Sequence, residues 1–189
     1  MSKEQAVDSL LAAYQAEVVY RKRQFIMDDS TMKNIEGLAS FLTDSGSKFG
    51  IMFSGVCGNG KTTLLYAFQT LLNYLNDRGL LGKDAGCSIV DAKEVAYYAK
   101  DVQRFRNLKD KEMIAIEDMG REPVDVLEYG NVLNPVIDLL EYRYNKQLFT
   151  IITTNLVPKQ IREKYGNRIA DRFNEMFEKV IFANETYRK

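Results

Sequence analysis

Apolar residues recur along this chain at two different periods. Near the start, Val7, Leu10, Leu11, Tyr14 and Val18 fall at helical spacing, which predicts an amphipathic helix from about Lys3 to Gln24. Ser2 with Gln5 forms a capping-box pattern at its beginning. Arg21-Lys22-Arg23 stands near its end, where cations suit the helix dipole. Asp28-Asp29-Ser30-Thr31 breaks the pattern, a second helical segment runs from about Met32 to Leu42, and Thr43–Ser47 reads as a polar loop.

From Phe49 the pattern alternates between short apolar runs and helical stretches. Phe49–Ser54, Ser88–Val90, Met113–Ile116, Leu148–Thr153 and Val180–Phe182 read as strands. Between them lie helices over Thr62–Asn76, about residues 92–106, a region opened by Asn134-Pro135, Pro158–Tyr165, and Arg168–Glu178. Gly79 and Gly166 supply helix stops, and Asp91 with Glu94 reads as a helix cap. Short apolar strands alternating with helices predict an α/β fold with a parallel sheet covered on both faces. There are no repeats, low-complexity tracts or linkers.

Composition narrows the chemistry. The 189 residues suit one α/β domain with a real core. Lys plus Arg equals Asp plus Glu at 26 each, so wholesale coating of nucleic acid by a basic protein is not expected. No apolar run approaches the roughly 18 residues of a membrane helix. The first residues lack a signal-peptide core, and a cytoplasmic protein with no membrane partner is expected. Two cysteines cannot build a disulfide framework or a four-Cys zinc site. The chain has no His, which excludes imidazole acid–base catalysis, Ser–His triads and His-bound metals.

Gly55-Val56-Cys57-Gly58-Asn59-Gly60-Lys61-Thr62 matches G-x-x-x-x-G-K-[ST] at every fixed position, between an apolar strand and an apolar helix. Glycines let successive N–H groups turn inward toward phosphate oxygens, and the following helix aims its positive end at the same place. Lys61 can reach the β- and γ-phosphates, and the Thr62 hydroxyl can ligate Mg²⁺. With Thr63, these residues are the candidate ATP-binding set. Cys57 occupies a variable loop position and reads as filler. The acidic pair Glu117-Asp118 follows Ile114-Ala115-Ile116 at a strand's carboxyl end, where open α/β sheets place their sites. Thr62, Glu117 and Asp118 are the candidate metal set, with Glu117 expected on the metal side and Asp118 also as the water-orienting group. The plain alternative is a solvated acidic turn.

Thr153-Thr154-Asn155 ends the fourth strand. Next to the loop strand, Asn155 could hydrogen-bond an attacking water, although Asn is as often a turn residue. Arg168 and Arg172 lie four apart on one helix face. They read either as a solvated stripe pairing with Asp171, Glu175 or Glu178, or as an arginine finger for a neighbouring subunit.

Taken together, these segments resemble the AAA+ ATPases of the DnaC/IstB type, the replicative helicase loaders and transposition helper ATPases. The resemblance covers about Phe49 to the C-terminus. It rests on Gly55–Thr62, Ile114–Gly120, Tyr142-Arg143-Tyr144 followed by Thr150–Leu156, and Gly166–Phe173, in this order. It implies a P-loop NTPase (AAA+) three-layer sandwich with a five-stranded parallel sheet. The expected division is an N-terminal helical segment over 1–45, with a partner-binding role, and an ATPase domain over 46–189 without a large C-terminal lid. It further implies ATP and Mg²⁺ as cofactors, catalysis by Glu117, Asp118 and Asn155, and a trans-acting finger at Arg172 with Arg168 beside it. Tyr187-Arg188 matches a second-sensor pair, which puts Arg188 among the nucleotide-binding residues. The implied partners are a replicative helicase or a transposase, single-stranded DNA, and a second copy of the chain across the ATP site.

Three departures qualify these expectations. The acidic pair is Glu-Asp where Asp leads in the family, which bears on the hydrolysis rate. The interval Asp91–Glu112, where loaders carry a DNA-binding insertion, is short and nearly balanced in charge, with six Lys/Arg against five Asp/Glu. The first helix could grip a partner or equally pack on its own domain. An ATPase acting in DNA replication or a related DNA transaction is therefore expected, with a nucleotide-gated adaptor of little turnover as the alternative. A small-molecule P-loop kinase is the third reading, and it lacks a clear lid.

Overall fold

The computed structural model describes residues 1–44, 48–81, 86–128, 131–184 and 186–187. The first element, α1 (Lys3–Tyr20), carries the Ser2–Gln5 capping box. Its stripe Ala6, Leu10, Tyr14 and Val18 is buried. A second helix, α2 (Asp29–Thr43), starts where the Asp28 carboxylate accepts the Thr31 N–H at 2.7 Å. Then follow β1 (Gly50–Gly55), α3 (Lys61–Asp77), β2 (Cys87–Asp91), α4 (Ala92–Tyr98), α5 (Val102–Asp110) and β3 (Met113–Met119). A hairpin of β4 (Val126–Glu128) and β5 (Asn131–Leu133) leads to α6 (Pro135–Lys146), β6 (Phe149–Thr154), α7 (Pro158–Met176) and β7 (Glu178–Phe182).

The five-stranded sheet is parallel throughout, in the order β2-β3-β6-β1-β7. Side chains alternate between its faces as the strand period requires. Ile51, Phe53, Ala115 and Ile151 face a core built with α1, α2 and α3. Met52, Ile114, Ile116 and Ile152 face a second core built with α4, α5, α6 and α7. This is the expected three-layer α/β sandwich.

Four details differ from the sequence expectations. The first helix ends at Tyr20, with Arg21 as its C-cap and Lys22 in the left-handed region, so the basic triplet follows the helix instead of closing it. The expected helix over 92–106 is two, because the Asp101 carboxylate accepts the Arg104 N–H at 2.9 Å and starts a new helix. The hairpin β4–β5 carries no strong strand signal. The last helix stops at Met176, and Glu178 already belongs to β7.

The segment before β1 shares its core with α3 and the sheet. Burying Leu10 and Val18 contributes roughly 1.5–3 kcal/mol each, against about 1 kcal/mol for the Ser2 cap. Packing therefore fixes α1 on its own domain more strongly than local helix signals do.

One buried cation organises the far end of the sheet. Arg143 of α6 is fully buried. It donates to the Thr150 hydroxyl at 2.8 Å and to the carbonyls of Lys109, Lys111, Glu112 and Phe149. These bonds tie α6 to the entrances of β3 and β6. Burial lowers its pKa to about 10, still charged at neutral pH.

Candidate functional site: a cleft at the carboxyl ends of the strands

The strand-to-helix turn after β1 is held from within and from behind. Gly60 sits at the N-cap of α3 with φ of 95°, a conformation costly for any residue with a Cβ. No side chain caps α3. The Lys61 ammonium donates to the carbonyls of Gly55 at 2.8 Å and Val56 at 2.6 Å and to Asn59 Oδ1 at 3.0 Å. The Asn59 amide nitrogen in turn donates to the Phe182 carbonyl, so the loop is fastened to the end of β7.

The acidic pair sits in a β-bulge. Pairing of β3 with β6 is in register to Ile116 and resumes shifted at Met119, leaving Glu117 and Asp118 in the irregular stretch. Asp118 has φ of 55°, a left-handed backbone that Asp tolerates better than most residues. Two threonines of β6 hold the bulge. The Asp118 N–H donates to Thr153 Oγ1 at 2.9 Å, and the Thr154 hydroxyl donates to the Met119 carbonyl at 2.7 Å. Arg121 donates to Asp118 Oδ2 at 2.5 Å, and this hydrogen bond, then the Asp118 charge, raises the guanidinium pKa. The Tyr66 hydroxyl lies 3.5 Å from Glu117 Oε2, and burial followed by the Glu117 charge raises the phenol pKa.

These tips converge. Cys57 through Thr63, Glu117, Asp118 and Asn155 line one cleft of about 1270 Å³. Gly55 and Val56 contribute carbonyls to Lys61 behind it. The order β3-β6-β1 brings the acidic and amide tips beside the loop. Tyr187, from the expected second-sensor pair, also lines it. Several other lining residues were not among the sequence candidates for the site: Tyr14 and Val18 of α1, Arg21, Arg23, Gln24 and Ile26 from the α1–α2 connection, Arg121 and Thr186. The spacing of Arg121, three residues after Asp118 in a turn, was the one available clue.

The tail crosses the loop. The Tyr187 N–H donates to the Gly58 carbonyl at 2.9 Å, and the Asn184 amide donates to the Asn59 carbonyl at 3.2 Å. The Tyr187 hydroxyl donates to the Asp28 carboxylate. Burial, reinforced by that bond, pushes the Tyr187 pKa up to about 12. Arg188 lies outside the described residues.

Arg168 and Arg172 stand apart from the cleft. Their helix is interrupted at Gly166, and both arginines lie in its second half. Their partner is Glu141 of α6, at 3.2 Å and 3.0 Å, and not Asp171, Glu175 or Glu178. Arg172 is the more enclosed, with its guanidinium carbon 4.7 Å from the Tyr144 ring centroid. Its Nη1 is buried and not aligned for a hydrogen bond, so this contact is an ion pair only.

The residues fit a bound nucleoside triphosphate with Mg²⁺. An α3 start without a side-chain cap, a lysine curled within reach of the loop, the Thr62 hydroxyl and two carboxylates share one cleft. Among the described residues no cluster of three or more His, Cys, Asp or Glu could hold a metal by itself, as expected where phosphates complete the shell.

A parallel sheet in this order, with a phosphate-type loop after β1 and an acidic tip on β3, defines the AAA+ P-loop fold. Among solved structures, the chain is similar to the DnaC helicase loader, with a TM-score of 0.63 and 19% identity over 84% of this chain and 93% of that one. It is similar to DnaI, with a TM-score of 0.60 and 20% identity over 87% and 88%. AMPPCP-bound DnaA from Aquifex aeolicus matches with a TM-score of 0.56 and 20% identity, over 82% of this chain and 48% of that one. At these identities the shared property is the fold. No protein-family model matches the chain, and no curated protein matches it in sequence. No helix among the described residues is long and apolar enough to cross a membrane.

Proposed function

We propose that this protein binds ATP with Mg²⁺, hydrolyses it, and uses the cycle as an assembly factor in DNA replication or a related DNA transaction. The observation that carries the reading is the convergence of the glycine loop, Glu117-Asp118 and Asn155 on one cleft. The loop N–H groups and the α3 terminus bind phosphate oxygens. Lys61 exchanges its carbonyl partners for phosphate. Thr62 and Glu117, with Asp118 beside them, would hold the metal, which when bound would neutralise charge on the phosphates. An Asp118 carboxylate oxygen accepts a proton from the attacking water, and the Asn155 amide orients that water.

Arg172, with Arg168 beside it, serves a neighbouring copy's site. Their position outside the cleft of their own chain supports a role in trans. A replicative helicase is the proposed partner, in line with the helicase loader among the structural neighbours. A transposase is the alternative partner. The outer face of α1 is the proposed grip within residues 1–45. Single-stranded DNA is proposed to lie on the α4–α5 pair, where Arg104 covers Tyr98 and Lys109 covers Phe105.

A nucleotide-gated adaptor with little turnover is the second reading. The observation favouring it is the ion pair that occupies Asp118, on a chain whose acidic order is Glu then Asp. A steady-state ATPase assay with Lys61→Ala and Asp118→Asn controls decides between them. Turnover lost in both variants supports hydrolysis. Wild-type turnover at background with measurable ATP affinity supports the adaptor. Phosphate transfer to a small acceptor instead of water would overturn both.

A further inference from the structure

Glu122 is a carboxylate that the proposed chemistry does not use, and its side chain has no solvent exposure. It follows the acidic pair by four residues and is held at both oxygens. Oε2 accepts the Gly120 N–H at 2.8 Å, and Oε1 accepts the Tyr165 hydroxyl. The Lys164 ammonium lies 3.5 Å from Oε1 and donates to the carbonyls of Gly120 and Glu122, each at 2.6 Å. Two of the ammonium's three donors meet these carbonyls, and its charge faces the buried carboxylate. A buried carboxylate satisfied at both oxygens in this way rigidifies what it touches.

What it touches is the catalytic turn. Gly120 has φ of 113°, and a Cβ there would stand 2.8 Å from Leu156 Cγ, so this turn presses on the residue after Asn155. The Leu156 N–H bonds Thr154 Oγ1, whose own hydroxyl holds Met119. Lys164 and Tyr165 end the first half of α7, directly before the interruption at Gly166. One knot therefore joins the acidic tip, the amide tip and the base of the arginine-bearing half-helix.

We propose that Glu122 is a positioning residue, which through Lys164 and Tyr165 fixes the turn that aims Asp118 and sets its distance from the Asn155 tip. Its catalytic consequence rests on the hydrolysis reading above. Its positional consequence does not.

The test uses full-length Glu122→Gln and Tyr165→Phe. Gln keeps the shape of Glu but presents a donor to Tyr165 and Lys164, and Phe deletes one bond. Amide hydrogen exchange at Asp118 and Gly120 is expected to accelerate at least tenfold in Glu122→Gln and two- to threefold in Tyr165→Phe. Exchange at Ile114–Ile116 should stay at the wild-type rate. In the ATPase assay Glu122→Gln is expected to lower kcat at least tenfold with KM within twofold. Unchanged exchange at Asp118 and Gly120, or a uniform rise across β3, overturns the proposal. So does wild-type kcat in Glu122→Gln where Asp118→Asn is silent. If wild-type protein shows no turnover, the hydrolysis reading fails separately and the exchange pattern alone decides the role of Glu122.

Discussion

Asn59, inside the glycine loop, donates its amide to the carbonyl of Phe182 at 3.0 Å, on the last strand of the sheet. The same side chain accepts from Lys61 at 3.0 Å, and Asn59 is almost wholly buried. The loop's shape is therefore set by an edge strand 123 residues away in sequence. Asn59→Ala should strand the Phe182 carbonyl and free Lys61 from one partner. A stability loss of about 1–3 kcal/mol is expected, with a fall in melting temperature of roughly 2–4 °C per kcal/mol. Calorimetry checks the first effect. Titration with a fluorescent ATP analogue checks the accompanying loss of affinity.

The left-handed backbone of Asp118 separates charge from conformation. Asn tolerates this region as Asp does, whereas Ala pays roughly 1–2 kcal/mol for it. Asp118→Asn should keep wild-type stability and nucleotide affinity while turnover falls about 100-fold or more, the range for a lost general base. Asp118→Ala should show the same kinetic loss and a lower melting temperature. Equal melting temperatures for the two variants would contradict the assigned backbone strain.

Arg143 satisfies four carbonyls and a hydroxyl from inside the fold. Arg143→Met fills similar volume but leaves those acceptors unpaired, at about 1–3 kcal/mol for each that water does not reach. A loss of at least about 3 kcal/mol is expected in urea unfolding, without any direct contact to the cleft.

The tail's fastening to α2 carries a pH signature. Burial would raise the Asp28 pKa, but hydrogen bonds from Tyr187 and Thr31 outweigh it and lower the pKa below the ordinary value. A lowered carboxyl pKa gives stability that is present above about pH 4 and lost as pH falls through the folded-state value. Asp28→Ala should cost about 1 kcal/mol at neutral pH, as lost helix caps do. The gap between variant and wild type should close on acidification below pH 4, followed by thermal melts across pH. A gap independent of pH would exclude the charged cap.

Arg172 pairs with Glu141 in the free chain, so its use in a neighbour's site requires breaking that pair. Arg172→Ala should leave ATP affinity within a few-fold and reduce turnover by roughly 10³ if it acts as a finger. Mixing it with Lys61→Ala protein should restore activity, since each variant supplies what the other lacks. Wild-type turnover in Arg172→Ala removes the assignment and leaves Arg172 as a partner of Glu141 and Tyr144.

Some of this was legible along the chain because its physical cause is local. The apolar runs Ile51–Phe53 and Ile114–Ile116 are buried on both faces, so continuous hydrophobicity marked them as strands of a covered parallel sheet. The caps at Ser2 and Asp91 bond backbone groups two or three residues away, and such contacts need no tertiary context. The loop Gly55–Thr62 was readable because each fixed residue answers a constraint inside eight positions. Glu122 was not readable, since a charged residue after a turn looks solvated until Tyr165 and Lys164 close over it.

The sequence by itself determined the five strands of the main sheet and most of its helices, the parallel class of sheet, and which residue types could meet a phosphate and a metal. The tertiary structure alone decided that β6 lies between β3 and β1, which brings Asn155 and the acidic pair to one cleft. It alone turned Arg168 and Arg172 toward Glu141 and laid Tyr187 across the loop. The reason is physical. Periodicity and capping are settled by energies within a few residues, whereas strand order and long-range pairing depend on which distant surfaces can be buried together.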